Sequence, residues 1–167
     1  MAAELVPSTP DANTALVRPS DTPAIPEWMS KASVPAMNTL DMTKPNAMQT
    51  LSKVSIGCDQ QLSDLINEEI EIESWYAAPY EKVDEKTGEL IQLVYIGLIS
   101  PTGVIYGCSS IGVRRSLLLL SQQFGFRHWI PAVKVKVRAV KVALGKMFAL
   151  EFVSKGTDAT ANNKKGK

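Results

Sequence analysis

The sequence predicts a mostly β domain that contains one helix and lies between two polar tails. Three observations support this class: short segments that alternate apolar and charged residues, glycine-containing turns between them, and one segment with helical spacing. The first 50 residues hold seven of the ten prolines and no persistent period. We therefore expect a disordered arm over 1–50, a folded domain over 51–154 and a disordered, lysine-containing tail over 155–167.

The strongest strand signal lies in residues 132–142, AVKVKVRAVKV. On a strand Val133, Val135, Val137 and Ala139 point to one face, and the cations between them point to the other. The cations on that face are Lys134, Lys136 and Arg138. Three like charges in a row favour an anionic partner, above all phosphate. An ordinary solvated face, or an edge strand protected by lysine, explains the same pattern.

The other elements follow from period and turn chemistry. Leucines near residue 62 indicate a short amphipathic helix or turn at 60–69, and alternation indicates a strand at 69–76. Gly88 and Gly103 mark the two turns on either side of the next strand. The predicted strands after the first are 90–100, 104–108, 132–142 and 146–153.

The helix is predicted over 112–124, since apolar residues recur there at helical spacing. Ser109 and Ser110 provide an N-cap and Gly125 a stop. Three strands, a helix and two strands in about 100 residues are the element order of an OB-fold, a five-stranded barrel with its helix between strands 3 and 4. A phase slip at Ala139-Val140 predicts a bulge, which would place Lys141 beside the other cations.

Charge is distributed unevenly although the net charge is only +1. Residues 64–89 contain nine acids and two bases, whereas residues 101–150 contain eight bases and no acid. The cysteines, Cys58 and Cys108, match no CxxC motif, so we expect free thiols. Without a signal peptide or a long apolar run, the protein is expected to be intracellular, with no membrane partner.

Catalytic motifs are missing from the sequence. It has one histidine, His128, no zinc-ligand spacing and no Walker loop. Glu69, Glu71 and Glu73 share a strand face, which suits metal ligands or a solvated acidic face. We expect no enzyme, no cofactor and no metal.

Aromatic residues interleave with the bases, as in grooves that stack unpaired nucleotides. Trp129, in the loop before the basic strand, is expected to be exposed, and Trp75 and Tyr76 point to opposite faces, so one can be exposed. Tyr106 suits either an exposed position, where it can stack on a base, or a position in the core. Trp28, in the arm, either belongs to a short motif that docks on a partner or on its own domain, or is an isolated aromatic residue without a binding role.

The run from Val94 to Gly112, VYIGLISPTGVIYGCSSIG, resembles the phage and mobile-element single-stranded DNA-binding proteins. They share an apolar strand, a glycine turn, a tyrosine strand and a Ser-x-Gly helix entry. The helix ending at Phe124-Gly125, the Trp129-Ile130-Pro131 segment and the Val-Lys-Val-Lys strand continue the likeness, which covers about 56–153. The C-terminal Lys164-Lys165-Gly166-Lys167 departs from the acidic tip of cellular members.

The resemblance implies an OB-like protein that coats single-stranded DNA without sequence preference during replication. It also implies a location in the cytoplasm of a bacterial host, and self-association and replication proteins as candidate partners. A structural or protein-interaction module, such as a virion or replisome component, and an RNA-binding OB domain are the alternatives. The candidate nucleic-acid-binding residues are Lys134, Lys136, Arg138, Lys141, Lys146, Arg114, Arg115, Trp129, Tyr106, Trp75 and Tyr76.

Overall fold

The computed structural model describes residues 36–143 and 145–156, which are mostly β, as predicted. The strands of this part of the chain are β1 (Met37–Asn38), β2 (Gln60–Gln61), β3 (Glu69–Ile72), β4 (Ser74–Val83), β5 (Leu90–Ile99), β6 (Ile105–Cys108), β7 (Val133–Val142) and β8 (Gly145–Lys155). The helices are α1 (Ala47–Ile56) and α2 (Ile111–Phe124), and a 3-10 turn spans Leu62–Leu65.

The strands form two sheets that share one bent stretch of chain. The first sheet has the order β1-β4-β5-β6-β2 and the second the order β3-β7-β8. Only Glu73 separates β3 from β4, so this stretch passes from one sheet into the other. At the bend, Glu73 N–H donates to the carbonyl of Ile99 (2.9 Å) and Trp129 N–H donates to the carbonyl of Glu73 (2.7 Å). The bend therefore ties the two sheets and the loop before β7 together.

Strand β7 is half-buried, as the alternation of valine and charge predicts. Val133, Val135 and Val137 are fully buried in the main core, which also contains residues of β3, β4, β5 and α2. The intervening cations are partly exposed. Burial of a valine side chain contributes about 1.5–3 kcal/mol, so this face fixes the strand's orientation.

In the described residues the sheets do not close into a barrel, so the predicted five-stranded OB-like barrel is not confirmed. β6 pairs on its second edge with β2, in parallel, rather than with β8. The edge of β8 meets the start of α2 instead: Ser110 Oγ donates to the carbonyl of Phe148 and accepts from its N–H, and Ser116 Oγ accepts from Leu150 N–H (3.1 Å). Serine hydroxyls thus replace a strand ladder at this seam.

Glycine at position 112 permits this close approach. A β-carbon there would collide with the carbonyl oxygen of Phe148 and with the Met147 side chain. The Ser-x-Gly helix entry therefore has a packing role in this fold: its serine caps the strand edge, and its glycine lets the helix reach that edge.

Replacing Ser116 with alanine should lower the free energy of unfolding by about 1–3 kcal/mol, because Leu150 N–H loses its acceptor. Ser121 is the matched control on the same helix. It is fully buried, and its hydroxyl has no hydrogen-bond partner among the described residues, so Ser121→Ala should be neutral or slightly stabilising. Urea unfolding of both variants measures the difference; equal effects would contradict a hydroxyl-bonded seam.

The folded domain begins earlier than residue 51, which corrects the predicted boundary. β1 pairs with β4, and Thr39 exchanges hydrogen bonds with the backbone of Trp75. Helix α1 begins at Ala47 and buries Val54 against the second core, which contains Tyr76, Ile99 and Ile105. A two-residue strand carries no period, so long-range contacts rather than local pattern order this segment.

The predicted tails lie mainly outside the described residues, the arm over 1–35 with Trp28 and the tail over 157–167. Two residues of the predicted tail are described. Lys155 ends β8 opposite Val133, and Gly156 N–H donates to the carbonyl of Ala132 (2.9 Å).

The bulge predicted at Ala139-Val140 is wrong. Those residues pair regularly with Phe148 and Met147, and the register shifts instead between Lys134 and Val135. There β8 carries one extra residue, Val153, between the partners of these two positions. The alternation of β7 therefore continues unbroken to its end, which decides where Lys141 points.

Candidate nucleic-acid interface

The β7–β8 hairpin separates the predicted cations into two groups. Since β7 alternates without a bulge, Lys141 lies on the face of the valines rather than on that of Lys136 and Arg138. Its cross-strand partner is Lys146. The expectation that Lys141 lies beside Lys134, Lys136 and Arg138, which we call the outer cations, is therefore wrong. The five cations of β7 and β8 do not form one surface.

The outer cations lie among carboxylates. β3 pairs with β7 so that Glu71 is opposite Lys134 and Glu69 opposite Lys136, and the Lys134 Nζ–Glu71 Oε1 distance is 3.9 Å. On the other side, Arg138 forms an ion pair with Glu151. The pKa of Glu151 is lowered, first by this hydrogen bond and the charge of Arg138 and further by Lys136. The face therefore has mixed signs, as in an ordinary solvated sheet.

A groove of about 540 Å³ lies between the hairpin, the end of β6 and the start of α2. It is lined by Gln61, Ser63 and Leu93, by residues 107–111, and by Val142 and residues 146–148. We call it the hairpin groove. A smaller cleft of about 100 Å³ adjoins it, shares four of its residues and adds Gln92, Val94 and Arg114.

The walls of the hairpin groove combine apolar side chains with unneutralised cations. Ile111 and Phe148 contribute apolar surface, and no carboxylate is among the described residues that line the groove or the cleft. Lys146 lines the groove and Arg114 lines the cleft, whereas Lys141 lines neither and is the cross-strand partner of Lys146. None of the three has an ion-pair partner within 36–143 and 145–156. Like charges directly opposite each other on paired strands destabilise the pair, so the two lysines favour an anion between them.

The predicted stacking roles of three aromatic residues are wrong, because their rings are in the core. Trp75 is fully buried and meets Phe126 edge-on, with centroids 6.3 Å apart. Tyr76 faces the opposite way but is buried in the second core. Trp129, expected to be exposed, is 2% exposed. Its indole N–H donates to the carbonyl of Gly125 (2.9 Å), which draws the loop inward.

The remaining two predicted residues line neither the groove nor the cleft. Tyr106 is half-buried and packs on the main core, and Arg115 is exposed on α2 but lines neither cavity. Two rings outside the set of candidate binding residues lie closer to the groove. Phe148 lines the groove, and Tyr80, 38% exposed, donates its hydroxyl hydrogen to Ser109 Oγ (3.0 Å). Lys146 and Phe148 are two residues apart and share a face of β8, and this spacing is the sequence signal that could have identified Phe148.

A second polar cluster surrounds His128. Lys44 Nζ lies 3.2 Å from His128 Nε2 and 3.1 Å from Glu73 Oε1. Because an ammonium group only donates, Nε2 accepts and Nδ1–H donates to Ser74 Oγ (2.8 Å). Burial lowers the pKa of His128, which favours this neutral form. Ser74 is fully buried, so the cluster serves to anchor the segment before α1 on the bend.

Both cysteines are free, as predicted, and both are half-buried. Cys108 lines the hairpin groove, and burial raises the pKa of its thiol to about 11. A neutral thiol adds no negative charge to the groove at pH 7. The groove therefore stays suited to an anionic ligand.

Comparison with protein-family models, with curated proteins and with solved structures found no match. Across 36–143 and 145–156, His, Cys, Asp and Glu residues form no group of three or more that could hold a metal ion. Neither helix of this part of the chain has the length and apolarity to cross a membrane.

Proposed function

We propose that the chain is a sequence-independent single-stranded DNA-binding protein with an OB-like arrangement, which coats DNA during replication of a phage or mobile element. The hairpin groove is the binding site in this proposal. Lys141, Lys146 and Arg114 contact phosphates, and Phe148 and Tyr80 offer ring surfaces to unpaired bases. No step of catalysis is part of the proposal.

The order of the elements supports the OB-like part. The bent β3–β4 stretch takes the place of a first strand, followed by β5, β6, α2, β7 and β8. OB-folds bind oligonucleotides on their second and third strands and on the loops after the first and fourth strands. The hairpin groove lies between β5, β6 and the β7–β8 hairpin, which is the corresponding location.

One observation carries the proposal: the Lys141–Lys146 pair stands beside an apolar groove that no carboxylate lines. Such a surface offers charge to a backbone and apolar contact to bases at the same time. Duplex DNA presents phosphates but keeps its bases stacked, so this surface favours single strands.

Titration of a fluorescent single-stranded oligonucleotide, with the matching duplex in parallel, tests the function. We expect tighter binding of the single strand and an affinity that falls with salt, at a slope of about −2 if three cations each contact a phosphate. Equal affinity for the duplex, or no salt dependence, would contradict the proposal. An RNA oligonucleotide of the same sequence separates DNA from RNA binding.

A non-catalytic interaction module is the second candidate, favoured by the tip of the β4–β5 hairpin. Val83 and Leu90 are cross-strand neighbours there, and both are exposed. Exposed apolar pairs of this kind suit contact with a second copy or with a replication protein. In that case a charge-lowering change in the hairpin groove leaves partner binding intact.

A further inference from the structure

A second apolar groove, of about 560 Å³, lies between α2 and β8, and nothing in the proposed DNA site uses it. Leu119, Leu120, Phe124, Leu150 and Phe152 line it. Leu119 is 66% exposed and Phe152 49% exposed, although both rest on an otherwise apolar surface. We call it the helix groove. Exposed apolar side chains grouped in one groove favour an occupant.

Two cations border the helix groove. Lys155 Nζ lies 5.5 Å above the centroid of the Phe124 ring, and Arg115 is exposed one helical turn before Leu119. Neither cation has an ion-pair partner among the residues that the structure describes. The matching occupant is therefore an apolar segment that carries a negative charge.

This chain contains such a segment outside the described residues. Residues 25–29 read Ile-Pro-Glu-Trp-Met, with one carboxylate among four apolar residues. A tryptophan buries about 150–250 Å² when it docks, which suits a groove of this size. Glu27 is placed to meet Arg115 or Lys155.

The reach of the chain allows the contact within one molecule. Trp28 and Met37 are nine residues apart, a span of up to about 30 Å. Met37 packs on the main core, which Phe124 and Phe126 also contact. The ring of Phe124 is in turn 5.7 Å from that of Phe152 in the helix groove. The described chain thus starts at the core that forms the floor of this groove.

We propose that Ile25–Met29 docks into the helix groove of its own molecule, with Trp28 as the apolar anchor and Glu27 as the charged contact. The arm then has a defined docking site on the domain, which is formed by α2 and β8 and is separate from the hairpin groove. This inference is independent of DNA binding.

Acrylamide quenching of tryptophan emission in the full chain tests the proposal. Trp75 and Trp129 are buried, so only Trp28 of the three tryptophans can change its exposure. We expect shielded emission for the unaltered protein and loss of shielding of one tryptophan in Leu119→Glu. Leu90→Glu is the matched control, since Leu90 is also 66% exposed but lies on the β4–β5 hairpin. Trp28→Phe identifies the quenched residue.

Glu27→Lys provides a variant that leaves the domain untouched. It should also increase quenching, because it places a cation against Arg115 and Lys155. Quenching of Trp28 in the unaltered protein as strong as in Leu119→Glu would overturn the proposal, as would equal loss of shielding in Leu90→Glu. Shielding that disappears on dilution would overturn it too, because the occupant would then belong to a second copy.

Discussion

Joint replacement of Arg114, Lys141 and Lys146 by glutamine should weaken single-stranded DNA binding about 100-fold at 0.1 M salt. Each phosphate contact to a single strand contributes a slope of roughly −0.7, a factor of about five at this salt concentration. The salt slope itself should fall by about two. Fluorescence anisotropy at several salt concentrations measures both quantities on the same samples.

The outer-face triple variant, Lys134→Gln, Lys136→Gln and Arg138→Gln, is the matched control. It removes the same number of positive charges, all of them from β7, so any effect of net charge alone is equal in the two proteins. We expect only a small loss of affinity, because Glu71 and Glu151 already pair with two of these cations. A greater loss in the outer-face variant would place the DNA on that face and refute the groove.

Trp129→Ala should destabilise the domain by about 3–5 kcal/mol, the usual cost of truncating a buried tryptophan. The change opens a cavity beside Phe124, whose ring is 6.2 Å from the indole, and removes the hydrogen bond to Gly125. Chemical denaturation followed by circular dichroism measures the loss.

Trp129→Phe separates a core role from a binding role. It keeps an aromatic ring and loses the indole N–H, so we expect a smaller destabilisation and unchanged DNA affinity. If this variant stays folded but binds single strands markedly less tightly, the ring contacts bases and the assignment to the core fails.

Periodicity predicted the regular elements well because their burial repeats along the chain. The valines of β7 and the helical spacing of α2 report contacts that recur every two or every three to four residues. β1 and α1 were missed because a two-residue strand, the hydrogen bonds between Thr39 and Trp75, and the burial of Ala47 and Val54 order that segment. Contacts between residues far apart in sequence leave no local period to detect.

The candidate site was predicted only in part, for a related reason. Sequence alone shows that Lys134, Lys136 and Arg138 share a face, but strand pairing decides that Glu69, Glu71 and Glu151 lie beside them. Likewise, a tryptophan next to an arginine and a histidine suggests exposure, yet the carbonyl of Gly125 draws Trp129 inward. Lys146 was predicted and Phe148 was not, since a ring in an alternating strand suits the core as well as a groove.

The Lys141–Lys146 pair also links folding to the ionic surroundings. Lys141 and Lys146 are directly opposite each other near the hairpin tip, where like charges destabilise a strand pair, and an anion that binds between them relieves that repulsion. A ligand that binds only the native state raises the free energy of unfolding by mass action. Under the proposed function, the free protein is therefore less stable than the protein bound to single-stranded DNA, and its stability rises with the concentration of that polyanion.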